Sequence, residues 1–242
     1  MTDPVRIAMW SGPRNMSTTM MRSFGARQDT VCVDEPFYGA YLKLTGLRHP
    51  MTDEIFSAHD FDPESVARKM ALSPPAVPVF YQKHMTHHMV EGIPRGFMGD
   101  VSNVFLIRHP ARVLASYARK METVSLEATG FPQQLELFEQ ATALEGAPPP
   151  VVDSDDILRD PKTVLSQLCD QLNIPWDDAM LFWPAGERAE DGAWAPHWYD
   201  KVWASTGFGP APGAVPSLEG ELADLCAEAM PIYNTLSAHK IF

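Results

Sequence analysis

Short apolar runs alternate along the chain with stretches of helical periodicity, and most runs stop at a polar or charged residue. Val5-Arg6-Ile7-Ala8-Met9-Trp10 reads as a buried strand and Thr30-Val31-Cys32-Val33 as a second. Val77 to Lys83, which carries Pro78, reads as a third strand, residues 103–107 as a fourth and Val151-Val152 as a short fifth. Helices are expected from Met20 to Phe24, over 63–72, from Pro110 to about Met121, from Phe131 to Leu144, over 161–172 and over 217–238. Asp62 and Asp160 stand as caps before Pro63 and Pro161, and proline suits the first helical turn. Pro231 is expected to bend the last helix. Residues 184–216 are rich in Pro, Gly and Trp and carry no long regular pattern. Strands alternating with helices predict a central parallel sheet covered on both faces, a three-layer α/β sandwich. Such sheets bind ligands beyond the carboxyl ends of their strands. Arg14, Glu35, His84, Arg108 and Asp153 each follow an expected strand and so are expected to converge.

The turn after the first strand, Ser11-Gly12-Pro13-Arg14-Asn15-Met16-Ser17-Thr18-Thr19, carries the chemistry. A small-residue turn opening a hydroxyl-rich helix makes an anion cradle, because the first helical N–H groups lack partners and the helix dipole favours negative charge. A nucleoside-triphosphate loop runs G-x-x-x-x-G-K-[ST]. Laid from Gly12, its second glycine falls on Ser17 and its lysine on Thr18, so the phosphate-reaching lysine is missing and Arg14 supplies a cation earlier. The fourth strand ends not in a metal-holding acid but in Arg108. A cation there repels a metal and attracts a second phosphate. Both swaps argue for a ligand with separated phosphates, handled without metal.

Composition narrows the classes further. The 242 residues are 45% hydrophobic and 21% charged, which suits one domain over 1–242 with a substantial core. No run of eighteen apolar residues indicates a membrane span, and Met1-Thr2-Asp3-Pro4 has no signal-like core, so a cytoplasmic protein without membrane association is expected. The net charge of −12 and scattered Lys and Arg argue against nucleic acid as a partner. Cys32, Cys169 and Cys226 are spaced for neither a disulfide framework nor a zinc site.

Two motifs carry a family resemblance. Pro13-Arg14-Asn15-Met16-Ser17-Thr18 resembles the loop P-[KR]-S-G-[ST]-T that binds the 5′-phosphosulfate in sulfotransferases using 3′-phosphoadenosine-5′-phosphosulfate. Arg108 to Ser116 reproduces that family's arginine at a strand end followed eight positions on by a serine, the pair that holds the 3′-phosphate. Val151 to Ile174 is similar to the family's strand, acidic turn, Asp-Pro and helix, here Asp155-Asp156, Asp160-Pro161 and Leu172-Asn173-Ile174. The resemblance implies a P-loop NTPase-like fold. It also implies sulfuryl transfer from that donor to a hydroxyl on a small-molecule or carbohydrate-like acceptor, without metal. Arg14, Asn15, Met16, Ser17, Thr18 and Thr19 would cradle the 5′ end, and Arg108 with Ser116 would hold the 3′ end.

The proton on the acceptor needs a base. Glu35, in Asp34-Glu35-Pro36, resembles the glutamate after the second strand of some bacterial and carbohydrate sulfotransferases. His84, in Gln82-Lys83-His84-Met85, can be laid on the K-T-H-L segment whose histidine is the base in cytosolic members, although a one-residue shift puts Met85 there. Met16 replaces the loop glycine, and the C-terminal R-K-G segment is absent. Residues Trp194 to Phe208, with His197, Lys201, Ser205 and Thr206, are candidates to replace it. His84, His87 and His88 lack the carboxylate or cysteine company of a metal site. Two alternatives remain: a small-molecule kinase with a degenerate loop, and a non-catalytic nucleotide-binding relative.

Overall fold

The computed structural model describes residues 4–72, 77–121 and 123–242, so Met1, Thr2 and Asp3 of the leading segment lie outside the described residues. Strand β1 (Val5–Ser11) leads into helix α1 (Ser17–Gly25), then β2 (Thr30–Asp34), α2 (Tyr38–Thr45), α3 (Thr52–Ala58) and α4 (Pro63–Leu72). Next come β3 (Val79–Met85), a 3-10 turn at Thr86–His88, β4 (Ser102–Ile107), α5 (Pro110–Tyr117), α6 (Leu126–Thr129) and α7 (Phe131–Glu145). The chain closes with β5 (Val151–Asp153), α8 (Ser154–Arg159), α9 (Pro161–Gln171), α10 (Ala195–Trp198), α11 (Asp200–Trp203) and α12 (Glu221–Ser237).

All five strands are parallel, in the order β2-β3-β1-β4-β5. Alternation along β1 divides the core. Ile7 and Met9 pack with Met20, Met21 and Phe24 of α1 and with Val164, Leu165 and Leu168 of α9. Ala8 and Trp10 face the other way, onto Val66 and Met70 of α4, Leu137 and Phe138 of α7 and Leu236 of α12. The three-layer α/β sandwich expected from the alternation is therefore the observed one. Among the described residues, no helix is long and apolar enough to cross a membrane.

Several boundaries differ from the sequence reading. Strand β3 begins at Val79, because Pro78 has no N–H to give and instead accepts the Val5 N–H at 2.8 Å. The strand then runs through Met85, paired from Val5↔Val79 to Ser11↔Met85. His84 is consequently inside the strand opposite Trp10, not beyond its end, and Asp153 is the last residue of β5. Helix α5 ends at Tyr117 rather than near Met121, and α12 begins after Gly220 rather than at 217. Helices α2 and α3 were not expected. In α2 the consecutive residues Tyr38 to Leu42 are all buried, which erases the one-sided period that marks a surface helix.

Candidate active site

The β1–α1 turn is fixed by close approaches. A Cβ on Gly12 would fall 2.3 Å from the Thr129 carbonyl oxygen, so only glycine fits. Arg14 and Met16 both adopt left-handed backbone, with φ of 65° and 67°. Met16 is the N-cap of α1, and no side chain caps the helix. Its conformation explains why the resembling motif has glycine there. Asn15 is buried, donates to the Leu106 carbonyl at 3.4 Å, and accepts at its own carbonyl from Ser154 Oγ at 2.8 Å. The turn is thus tied across β4 and α8.

The two motifs meet. Arg14 Nε donates to Ser116 Oγ at 2.9 Å, and Arg108 Nη1 donates to the Arg14 carbonyl at 2.9 Å. Burial lowers the pKa of both guanidinium groups, helped by Arg119 beside Arg14 and by Arg112 and Arg14 beside Arg108, with Asp155 opposing at Arg108. Arg108 Nε is buried without a partner. Arg112, by contrast, is taken up by Asp155 at 2.8 Å and by the carbonyls of Gly213 and Ala214. Two partly buried cations beside an uncapped helix start present an unmet demand for anionic oxygens.

A cavity of about 330 Å³ opens beside the turn. Arg14, Ser17 and Thr18 form one wall, and Glu35, Lys83, Met85, His87 and His88 form another. Tyr38, Tyr117, Trp194 and Trp198 supply aromatic surface. Of the donor-binding residues expected from sequence, Asn15, Met16, Thr19, Arg108 and Ser116 are not part of this lining.

Glu35 follows β2 with φ of 40°. Its N–H donates to the Lys83 carbonyl at 2.9 Å and its carboxylate accepts from Lys83 Nζ. Lys83, 1% exposed, also donates to Asp34 Oδ1 at 2.8 Å and Tyr199 Oη at 2.9 Å. Tyr199 in turn donates to Asp34 Oδ2 at 2.6 Å. Burial works against the Lys83 ammonium, but Asp34 and Glu35 outweigh it and hold its pKa well above the usual range. One ammonium thus faces two carboxylates. Burial, against the pull of Lys83 and with the push of Asp34, raises the Glu35 carboxyl to about 7.

His84 is not brought to the cavity. Strand alternation turns Lys83 and Met85 toward it and His84 away. The His84 ring stacks on Trp10 at 4.4 Å, its Nε2 pairs with Gln82 Oε1 at 3.0 Å, and burial depresses its pKa to about 3. The segment proposed to replace the missing C-terminal motif divides. His197, Trp194 and Trp198 line the cavity, whereas Ser205 accepts from Trp183 Nε1 and holds the segment's own fold. Lys83, Tyr38, His87 and His88 were not singled out as lining residues from sequence. The readable signal for Lys83 was a charge inside an apolar strand. Among the described residues, no group of three His, Cys, Asp or Glu is arranged for a metal.

Comparison with known proteins decides the family: residues 5–240 match a family model described as sulfotransferase domain. The chain belongs to the sulfotransferase domain family. Sulfotransferase domains are also among its structural likenesses. The one from the Synechococcus PCC 7002 olefin synthase superposes with a TM-score of 0.53 at 14% identity, covering 94% of this chain and 95% of that one. The one from the curacin biosynthetic pathway gives 0.54 at 16% identity, covering 97% and 98%. A sulfotransferase from Alicyclobacillus acidocaldarius gives 0.52 at 13%, covering 100% and 98%. At such identities the likeness concerns the fold alone. Two Arabidopsis thaliana proteins, branched-chain-amino-acid aminotransferase-like proteins 1 and 2, are each 36% identical to this chain, over 239 and 236 residues. These matches cover 99% and 96% of this chain but only 43% and 41% of theirs, so the sulfotransferase domain spans less than half the length of those relatives.

Proposed function

We propose that the chain transfers a sulfuryl group from 3′-phosphoadenosine-5′-phosphosulfate to a hydroxyl of a small acceptor. The observation that carries this reading is the join between the two cationic motifs, Arg108 to the Arg14 carbonyl and Arg14 to Ser116. The residues present fit such a donor: the α1 start is uncapped, and the Arg14 cation lines the cavity beside it. The amides and hydroxyls from Asn15 to Thr19, with Arg14, would bind the 5′ end, and Arg108 with Ser116 the 3′-phosphate. The bound donor supplies the transferable sulfuryl group and its phosphate leaving group.

The chain's own residues then account for the chemistry. Arg14 neutralises charge that develops on the leaving phosphate oxygen as its bond to sulfur breaks. Glu35 takes the acceptor proton as the new sulfur–oxygen bond forms, leaving a sulfate ester, adenosine 3′,5′-bisphosphate and a protonated carboxyl. Lys83 holds the Glu35 carboxylate in place. His84, buried on the far face of β3, has no part in this scheme.

Calorimetry with adenosine 3′,5′-bisphosphate tests the donor. Binding is expected, and Arg108→Ala should weaken it about 10–100-fold, as loss of charge-assisted bonds does. The same variant should barely change affinity for adenosine 5′-monophosphate. Equal losses for both nucleotides would overturn the assignment of Arg108, and a folded protein that binds neither would overturn the function.

A further inference from the structure

Two carboxylates meet one ammonium beside the cavity, and the two are held differently. Lys83 Nζ has three N–H groups, and all are engaged: by Asp34 Oδ1 at 2.8 Å, by Tyr199 Oη at 2.9 Å and by Glu35 Oε1. None is left for a ligand. Asp34 stands on the inner side of this ammonium, with its side chain 1% exposed and outside the cavity lining. Both of its oxygens are occupied, because Oδ2 also accepts from Tyr199 Oη at 2.6 Å and from the Gly192 N–H at 3.2 Å. Glu35 stands on the outer side. Its side chain is 11% exposed and lines the cavity, and its Oε2 makes no hydrogen bond among the described residues. His88 Nε2 is 3.9 Å from that oxygen, beyond hydrogen-bond reach.

We propose that Asp34 is a positioning residue for the base: by engaging Lys83 from the interior it withholds part of the ammonium from Glu35, and so keeps Glu35 Oε2 a strong enough acceptor for a hydroxyl proton. The proposal rests on the sulfuryl-transfer reading in naming Glu35 the base. Its physics is competition for one cation. A carboxylate alone with an ammonium is held in its charged form and is a weak base. A second carboxylate on the same ammonium opposes that hold. Burial and Asp34 push the Glu35 carboxyl up, while Lys83 pulls it down. The other groups around Glu35 supply no such push. Burial keeps His87 and His88 of the 3-10 turn neutral, and it raises the phenols of Tyr38 in α2 and Tyr199 before α11. Arg14, in the facing wall, is bonded to Ser116. Asp34 is thus the negative charge set against Glu35, and it acts through Lys83 without touching the cavity.

Carbon-13 titration of the side-chain carboxyls tests this with neither donor nor acceptor present. In the wild type the Glu35 Cδ resonance should titrate at about 7. Asp34→Asn keeps the size of the side chain and an acceptor oxygen for Lys83 but removes the charge. In that variant the Glu35 midpoint should fall by about one pH unit or more. An aspartate that only packs Lys83 in place would leave the midpoint where it was, so an unchanged or raised midpoint overturns the proposal. Where the variant does not fold, the wild type decides. Asp34 Cγ shares the ammonium and should step at the Glu35 midpoint, and an Asp34 resonance that ignores that step overturns the proposal. Calorimetry with adenosine 3′,5′-bisphosphate accompanies each protein. Wild type that is folded and does not bind it would overturn the sulfuryl-transfer reading, while the carbon-13 result judges Asp34 separately.

Discussion

Three of the five non-glycine residues with positive φ among the described residues are Arg14, Met16 and Glu35. Left-handed backbone costs an ordinary residue about 1–2 kcal/mol, and such strain gathers where geometry is held for a purpose. Glu35 adds an electrostatic cost, since its carboxyl must ionise beside Asp34 with only one shared ammonium. The sign of its effect on stability follows from its raised pKa of about 7. The folded state holds the Glu35 proton more tightly than the unfolded chain, so folding stability falls as pH rises from the ordinary carboxylate range through about 7. Glu35→Gln removes that penalty. The variant's melting temperature should therefore exceed the wild type's by a margin that widens from pH 5 to pH 8, while transfer drops about 100-fold or more. The wild-type rate should rise with pH through the same region, as the base loses its proton. A melting-temperature margin that narrows with rising pH would contradict the buried-carboxylate account.

At the scale of elements, the turn into α1 shows where sequence is transparent and where it is opaque. Its candidacy as an anion cradle was legible in Gly12, Arg14 and the hydroxyl run from Ser17 to Thr19, because unpaired helical N–H groups and small residues need no tertiary context. Met16 was opaque until its φ of 67° was seen. Met16→Gly should relieve strain at that N-cap and raise unfolding stability by about 1 kcal/mol in urea titrations. A destabilised variant would mean that packing of the methionine side chain outweighs the strain. The strands were legible as apolar runs, but the exact reach of β3 was not. Two added residues at its end moved His84 from the expected crevice into the core, because strand faces alternate residue by residue. Helix α2 stayed hidden for the opposite reason: buried on nearly every side at Tyr38 to Leu42, it has no polar face to set the period.

Across the whole molecule, the proposed scheme assigns two kinds of work to different strand ends. The turn after β1 and the ends of β4 and β5 gather Arg14, Arg108, Ser116 and Ser154, while the ends of β2 and β3 gather Glu35, Lys83, His87 and His88. Binding of the bisphosphate, which lacks the sulfuryl group, should therefore slow amide exchange in residues 12–19 and 108–116 and leave 38–58 unchanged. At a concentration of 100 times Kd it should also add about 2.7 kcal/mol to global stability. Protection spread evenly over both halves would refute the separation. The convergence of distant residues at one sheet end was foreseeable from strand–helix alternation. The lining by Tyr38 was not, and Trp194 was a candidate only through its place in the Trp194 to Phe208 stretch; both come from segments without a readable period. One phenol gives the least regular of those segments a hidden obligation. Tyr199 is the point at which the stretch around α10 and α11 grips both Asp34 and Lys83. Sequence drift in that stretch must therefore leave this phenol in place. Even Tyr199→Phe would take a hydrogen bond from a buried ammonium and another from a buried carboxylate, so this irregular region inherits its sequence constraint from the interior it covers.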